Sequence, residues 1–334
     1  MKTYMVKTII ITHDDLDGVG AAALYLKGKG LKPSEVLIGF SKPHQIVEKL
    51  KKALKEEPEV IAVMDLGLNK DIVDEVVNII GSSNAVVEWF DHHVWDEDWI
   101  KKLEPVNVKL YVDKSTCATG VVAKYLGLND ESSLRLVEVI CAIDLWRWDN
   151  PLAPFMYRIG MWVNGKQESL LRLIAFFASG KLWDKDFDRI VEEYVNKELR
   201  NYKKINRVVE VVDVGNCRVV LAVKYWDGPP HRSLLAQYLI ARYNADIAII
   251  LRPSGGISLR SHTVDVRSIA LELGGGGHLR ASGAPLSVSW LRRIFARFYP
   301  RILYGPIKRR IIAAIMKTGC KYIGGKGESQ RDYT

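Results

Sequence analysis

The sequence predicts an α/β protein: an N-terminal parallel-sheet domain joined by a helical connector to a smaller mixed α/β domain. Three observations predict it. Short, β-branched apolar runs alternate with stretches of helical period from Lys7 to Phe90, each run stops at an acidic residue or a histidine, and the texture changes after Asp149-Asn150-Pro151. A chain of 334 residues, 48% hydrophobic, can bury two cores.

Taken in order, residues 7–12 (KTIIIT) read as a buried strand, and residues 19–27 as a helix opening just after Gly18. A helix over 45–54 precedes a strand over 60–64 that ends at Asp65; a helix over 70–80 precedes a strand over 85–90 that ends at Asp91. Such alternation implies right-handed crossovers and a mostly parallel sheet, whose ligands gather at the carboxyl ends of the strands. Helical periods over 119–125 and 132–143 follow, the second delivering Asp144, and residues 187–208 read as one long charged helix. Beyond it lie strands over 217–223, 247–251 and 256–260 around a helix over 233–243. The expected boundaries are 1–185 for the catalytic domain, 186–207 for the connector, 208–300 for the second domain and 301–334 for a basic C-terminal tail.

No apolar run approaches the length of a membrane span, and the start, MKTYMVKTIIITHDD, offers no leader cleavage site, so a cytoplasmic protein with no membrane partner is expected. Cys117, Cys141, Cys217 and Cys320 are spaced singly; reduced packing residues are expected, not a disulfide framework or zinc ribbon. The net charge is +9, and residues 273–327 contain no Asp or Glu while carrying Lys and Arg from Arg280 to Lys326. That imbalance points to a polyanionic partner, nucleic acid first among them.

The chemistry-bearing residues lie at the strand ends. His13-Asp14-Asp15-Leu16-Asp17-Gly18 sets a histidine and two carboxylates at alternate positions, able to share one side of an extended loop. Asp65, the run Asp91-His92-His93, and Asp144 supply further oxygen and imidazole donors. This donor set suits Mn²⁺, Mg²⁺, Fe²⁺ or Zn²⁺. Carboxylates crowded at one sheet edge would repel by several kcal/mol without cations between them. In the second half, the glycines at 274–277 leave backbone N–H groups open to a phosphate, and Arg260, Arg267, His278 and Arg280 stand ready to clamp a terminal phosphate and base, leaving a cleft between the domains. Trp95, Trp99, Trp146, Trp148 and Trp162 cluster near these motifs, most of them as core residues, with base stacking the alternative.

The ordered set HDDLDG, VMDLG, FDHH and CAID resembles the four motifs of the DHH phosphoesterase superfamily, which includes RecJ-type exonucleases, oligoribonucleases and cyclic-dinucleotide phosphodiesterases. YVDKSTCATG resembles a further signature near the substrate phosphate, and SLRSHTVDVRSIALELGGGGHLRASGA resembles the glycine-rich stretch of the DHH-associated domain. The resemblance implies that His13, Asp15 and Asp65 hold one metal and Asp17, Asp65, His92 and Asp144 a second, with Asp65 as the bridge. It implies two divalent ions, Mn²⁺ first and Mg²⁺ as the alternative. His93 would address the substrate phosphate or leaving group, with Asp91 orienting a histidine, so that His93, Asp91 and Asp65 carry the catalysis. Substrate would be bound by Ser115 and Thr119, and in the second domain by Arg260, Ser261, Arg267, Gly275, Gly276, Gly277 and His278.

The implied function is metal-dependent phosphodiester hydrolysis on single-stranded DNA or RNA or short oligonucleotides. The alternatives are a small-molecule phosphoesterase acting on cyclic dinucleotides or pAp, and a non-catalytic protein binding nucleic acid or a repair partner. The basic tail is the expected element for homo-oligomerisation or a repair-protein partner.

Overall fold

Isoleucine and valine tolerate the pleated backbone and gain from burial, and the runs they dominate become the core of the first sheet. In the computed structural model, which describes residues 7–323 except 254, 286 and 297, that sheet has five strands. Arg297, Lys326 and the residues before Lys7, which entered the charge and leader readings, lie outside the described residues.

The first element is strand β1 (Thr8–His13), followed by helix α1 (Leu16–Lys29), β2 (Leu37–Ser41), α2 (Ile46–Leu54), β3 (Val60–Met64) and α3 (Val73–Gly81). β4 (Val86–Asp91), α4 (Glu97–Leu103) and β5 (Val108–Val112) complete the sheet, whose order is β2-β1-β3-β4-β5 with every pairing parallel. Four helices follow: α5 (Ala118–Tyr125), α6 (Glu131–Asp144), α7 (Ala153–Val163) and α8 (Gln167–Ala178). Ile46 and Leu50 of α2 and Val76 and Ile80 of α3 pack with Ile9, Ile11, Ile61, Val63 and Trp89 in one cluster. Each such side chain, fully buried, contributes on the order of 1.5–3 kcal/mol. Because β1, β3 and β4 run the same way, their last residues, and the loops after them, share one edge of the sheet.

β2 and β5 were not legible in the sequence. Both are edge strands that leave side chains partly exposed, so neither carries the unbroken apolar run that marks β1 and β3.

Helix α9 (Lys185–Tyr202) stops short of the helix expected over 187–208, whose last residues make only a 3-10 turn at Ile205–Arg207; the run VEVVDV that follows is strand β6 (Val209–Val214), paired antiparallel with β7 (Cys217–Val223). α10 (Arg232–Tyr243), β8 (Ile247–Leu251), β9 (Gly256–Arg260), α11 (Val266–Glu272), β10 (Gly276–Gly277) and β11 (Ala281–Pro285) follow. They make a mixed six-stranded sheet, order β10-β11-β9-β8-β7-β6, with only β7–β8 parallel. The last helices described are α12 (Trp290–Phe295) and α13 (Tyr304–Thr318). The chain divides into two compact units, residues up to 190 apart from Leu145–Arg147, and the remainder.

Two expectations need correction. Within the described residues, 301–323 are not a free tail: Tyr304, Ile307, Ile311 and Ile315 are buried in the second unit, the Tyr304 hydroxyl donates to the Leu221 carbonyl at 3.1 Å, and Lys317 pairs with Glu272 at 2.8 Å. Apolar residues at helical spacing (IIAAIM) supplied a packing face that outweighed the basic residues between them. The cysteines are not free thiols either. Cys117 is bonded to Cys141 and Cys217 to Cys320, across 24 and 103 residues of sequence, pairings that single spacing cannot reveal. No helix among the described residues is long and apolar enough to cross a membrane.

Candidate functional site

The loop after β1 folds back on itself. Asp15 caps α1 by accepting from the N–H groups of Asp17 and Gly18, both at 3.1 Å, and the Thr12 hydroxyl donates to the Gly18 carbonyl at 2.7 Å. Gly18 is required there, since a Cβ would sit 2.4 Å from the His13 carbonyl oxygen. The turn leaves His13, Asp15 and Asp17 at the edge where β3 and β4 also end.

Asp65 follows β3 in the left-handed region, φ 55°, a conformation that aspartate adopts more readily than most residues. It is buried, with its N–H bonded to the Phe90 carbonyl at 3.0 Å and the next residue's carbonyl held by the Trp89 indole at 2.9 Å. So held, Asp65 stands between two histidines: its Oδ2 is 3.4 Å from His13 Nδ1 and its Oδ1 is 3.4 Å from His92 Nε2. His13 Nδ1 also lies 2.8 Å from Asp15 Oδ2. His92 Nε2 lies 3.5 Å from Asp144 Oδ2 and 3.7 Å from Asp17 Oδ2. The six residues expected to ligate metal therefore meet at one sheet edge, and they sort into two groups, His13–Asp15–Asp65 and Asp17–His92–Asp144, with Asp65 facing both.

Electrostatics shows what this arrangement lacks. Burial and the neighbouring Asp65 push the Asp17 carboxyl up to about 7, and burial with Asp17 pushes Asp144 well above the carboxylate range. For Asp65, burial also acts upward, but His13 and His92 outweigh it and hold the group well below its usual value. The histidines respond in turn: burial opposes their charge, yet the adjacent carboxylates raise both His13 and His92 to about 11. Asp144 Oδ2 is buried with no hydrogen-bond partner. Carboxylates this crowded, with an orphaned oxygen among them, and the mixed oxygen and imidazole donors fit divalent cations.

Beside these groups, Asp91 is wholly buried and accepts from the Trp95 indole at 2.6 Å, while its other oxygen lies 2.7 Å from His93 Nδ1. Burial opposes charge on His93, but Asp91 raises it to about 9. Gly67 keeps its backbone close, since a Cβ there would lie 3.1 Å from that of His93.

Not every expected substrate residue is free to touch one. Thr119 is fully buried and is committed to Asp17: its N–H and hydroxyl donate to Asp17 Oδ1 at 2.8 and 2.7 Å, and the Ala118 N–H donates to Oδ2 at 2.7 Å. Ser261 is likewise fully buried, donating to the Asp246 carbonyl at 2.6 Å and accepting from the N–H groups of Thr263 and Val264. Both hydroxyls are turned into the fold; a hydroxyl beside a motif gives no hint in sequence of which way it points. Ser115 is exposed, with its hydroxyl turned to Asp113 at 2.6 Å.

The second unit contains a pocket of about 730 Å³. Of the expected substrate residues, Arg260, Gly276 and Gly277 line it; Gly275, Arg267 and His278 do not. Gly275 instead lets two backbones touch, since a Cβ there would sit 2.1 Å from the Gly283 carbonyl oxygen. Three further arginines, Arg232, Arg252 and Arg293, line the pocket without any motif having marked them.

A parallel sheet whose strand ends gather paired carboxylate–histidine groups is chemically suited to holding divalent cations. Residues 7–142 match the model of the DHH family, N-terminal domain. No curated protein matches the chain. Among solved structures it is similar to the pGpG-specific phosphodiesterase PggH from Vibrio cholerae, at 16% identity and a TM-score of 0.55, over 91% of this chain and 100% of that one. It is also similar to RecJ from Thermus thermophilus in complex with Mn²⁺, at 15% identity and a TM-score of 0.53, over 93% of this chain but 52% of RecJ. An exopolyphosphatase-related protein from Bacteroides fragilis aligns at 18% identity and a TM-score of 0.50, over 90% of this chain and 93% of that one. At these identities the likeness is one of fold.

Proposed function

We propose that this protein is a two-metal phosphodiesterase that hydrolyses short or single-stranded nucleic acid. One observation carries the reading: a single buried carboxylate, Asp65, turns one oxygen to His13 and the other to His92, each flanked by further carboxylates. His13, Asp15 and Asp65 would hold one divalent cation, and Asp17, Asp65, His92 and Asp144 a second. Ions bound in this way supply Lewis-acid neutralisation of phosphoryl charge and a bound water of lowered pKa. The protein's own groups account for the rest. Thr119 and Ala118 keep Asp17 oriented, Trp95 fixes Asp91, and Asp91 holds the His93 imidazole charged at neutral pH, ready to donate a hydrogen bond or proton to a phosphoryl or leaving oxygen.

A small-molecule substrate, a cyclic dinucleotide or pAp, is the second reading; the whole-length likeness to a protein named for hydrolysing pGpG favours substrates of dinucleotide size. The test is product analysis with Mn²⁺ on a length series of end-labelled RNA and DNA, alongside cyclic dinucleotides and pAp. Cleavage is expected, and Asp65→Asn, which keeps a side chain tolerant of the left-handed backbone, should lose at least the ~10–100-fold that loss of a supporting residue costs a metal site. An Asp65→Asn protein as active as the wild type would sink the metal reading, and activity confined to one small molecule would replace the first substrate class with the second.

A further inference from the structure

A helix rich in large apolar side chains is expected to bury them, and α12 buries none. Its Trp290, Leu291, Ile294 and Phe295 are all exposed, Trp290 by 68%. The chain beyond continues in kind: Phe298, Tyr299 and Ile302 are exposed, the first two by 76% and 71%. Apolar residues scattered singly over a surface are ordinary, but a run of this density marks a surface that something covers.

The backbone under this run is anchored. Val288, Ala296 and Leu303 are buried at intervals along it. The Phe298 and Tyr299 N–H groups both donate to the Phe295 carbonyl, at 3.0 and 2.8 Å, and Pro300–Leu303 closes as a 3-10 turn. Arg293 Nε donates to the Val288 carbonyl at 3.0 Å and Arg301 Nε to the Arg207 carbonyl at 2.9 Å. A held backbone thus presents the large apolar side chains to solvent.

Charge decides the occupant. Residues 273–327 contain no Asp or Glu. Arg292, Arg301, Arg309 and Arg310 are exposed, and no ion pair among the described residues engages them; the acids that reach this stretch, Glu210 and Glu272, pair with Lys308 and Lys317. A fitting partner therefore supplies an apolar phase for the aromatic and aliphatic side chains together with anions for the guanidiniums. A second copy supplies the first without the second, since a two-fold contact brings the same arginines together and desolvates them unpaired. A nucleic-acid strand supplies anions and base faces but nothing for Leu291, Ile294 and Ile302, and none of the seven apolar residues lines the pocket of this unit. An anionic lipid surface supplies both, and Trp and Tyr favour the boundary between headgroups and acyl chains.

We propose that α12 and the residues from Phe298 to Ile302 form a peripheral docking surface for an anionic lipid bilayer. Such an element lies in the headgroup plane and does not span; no described helix is long and apolar enough to cross a membrane. In the sequence, arginines interrupt this run too often for it to read as a span, which is why no membrane partner was expected. The docking surface is independent of the metal-ligating residues. Part of the attraction is screened by salt, so the protein partitions between solution and membrane with ionic strength.

The experiment is sedimentation of the full-length protein with vesicles of phosphatidylcholine alone or mixed equally with phosphatidylglycerol. The anionic vesicles are expected to bind about tenfold or more tighter than the neutral ones, and high salt should erase most of that difference. Trp290→Ser combined with Phe298→Ser should weaken binding to anionic vesicles by about tenfold or more, and Arg292→Ala combined with Arg310→Ala should cut the anionic preference, each in a protein whose fold is intact by circular dichroism. No binding to anionic vesicles, or apolar variants that bind as the wild type does, overturns the proposal. Light scattering that finds a dimer in the wild type and a monomer in the Trp290→Ser, Phe298→Ser protein gives the patch to a second copy and overturns it. A single-stranded oligonucleotide in EDTA that binds through these residues, shown by its loss in the same variant, while vesicles do not bind, gives the patch to nucleic acid and overturns it too.

Discussion

Thr119 and Asp17, 102 residues apart in sequence, are joined by three hydrogen bonds: the threonine N–H and hydroxyl both reach Asp17 Oδ1, and the hydroxyl is also 3.0 Å from the Asp17 carbonyl oxygen. The start of α5 therefore decides how a carboxylate at the start of α1 is presented. Replacing the hydroxyl with a methyl, Thr119→Val, keeps shape but leaves Asp17 short of a donor in a buried site. We expect a loss of roughly 1.5–3 kcal/mol in stability, the range for hydrogen bonds to charged groups, and weaker Mn²⁺ binding by calorimetry. Wild-type metal affinity in a folded Thr119→Val protein would remove Thr119 from the machinery.

The Cys117–Cys141 disulfide ties the residue that precedes Ala118 and Thr119 to α6, one turn before Asp144. It thus couples two of the segments that set the Asp17–His92–Asp144 group. Loss of a link closing a loop of this length costs about 3 kcal/mol in the chain-entropy account. Cys117→Ala with Cys141→Ala should melt several degrees lower and bind Mn²⁺ more weakly than wild type. Removing the other link, between Cys217 and Cys320, should lower stability without weakening metal binding. Identical metal affinity in both double variants refutes the coupling.

Without divalent ions, stability should fall as pH rises. Asp17, raised to about 7, keeps its proton in the folded state where the unfolded chain has lost it, so its contribution declines between about pH 4 and 7. His13 and His92, raised to about 11, add stability that is complete below their unfolded value near 6.5 and is lost as pH climbs toward 11. Metal binding requires the deprotonated ligands, so saturating Mn²⁺ should stabilise more at pH 8 than at pH 5. Melting temperatures measured in EDTA and in Mn²⁺ should therefore draw apart as pH rises; parallel curves would contradict the site.

His93 owes its charge at neutral pH to Asp91. Asp91→Asn keeps the size and removes the carboxylate, so the alkaline limb of the pH–kcat/KM profile should move down from about 9 toward or below the ordinary histidine value. Steady-state rates across the neutral and alkaline range read this directly. A limb that stays in place, with only the amplitude reduced, would assign Asp91 a purely structural role.

The interior strands were legible because a strand buried on both faces must be apolar: VIAVM, IAIIL and, after its exposed Arg218, VVLAV declare β3, β8 and β7 by composition alone. Edge strands β2 and β5 were not, since half-exposed positions accept polar residues and blur the pattern.

Composition and order alone thus marked the candidate donors, because aspartate and histidine stopping successive strands is chemically costly unless something binds them. What only the tertiary structure decided was direction and partnership. Asp65 turns its two oxygens to different histidines, Thr119 faces a carboxylate, and scattered cysteines meet in pairs. Four arginines drawn from α10, from the turn after β8, from β9 and from α12 gather round one pocket. Residue identity fixes which interactions a side chain can make; the crossing of distant segments selects which one it does make, and no local pattern encodes that choice.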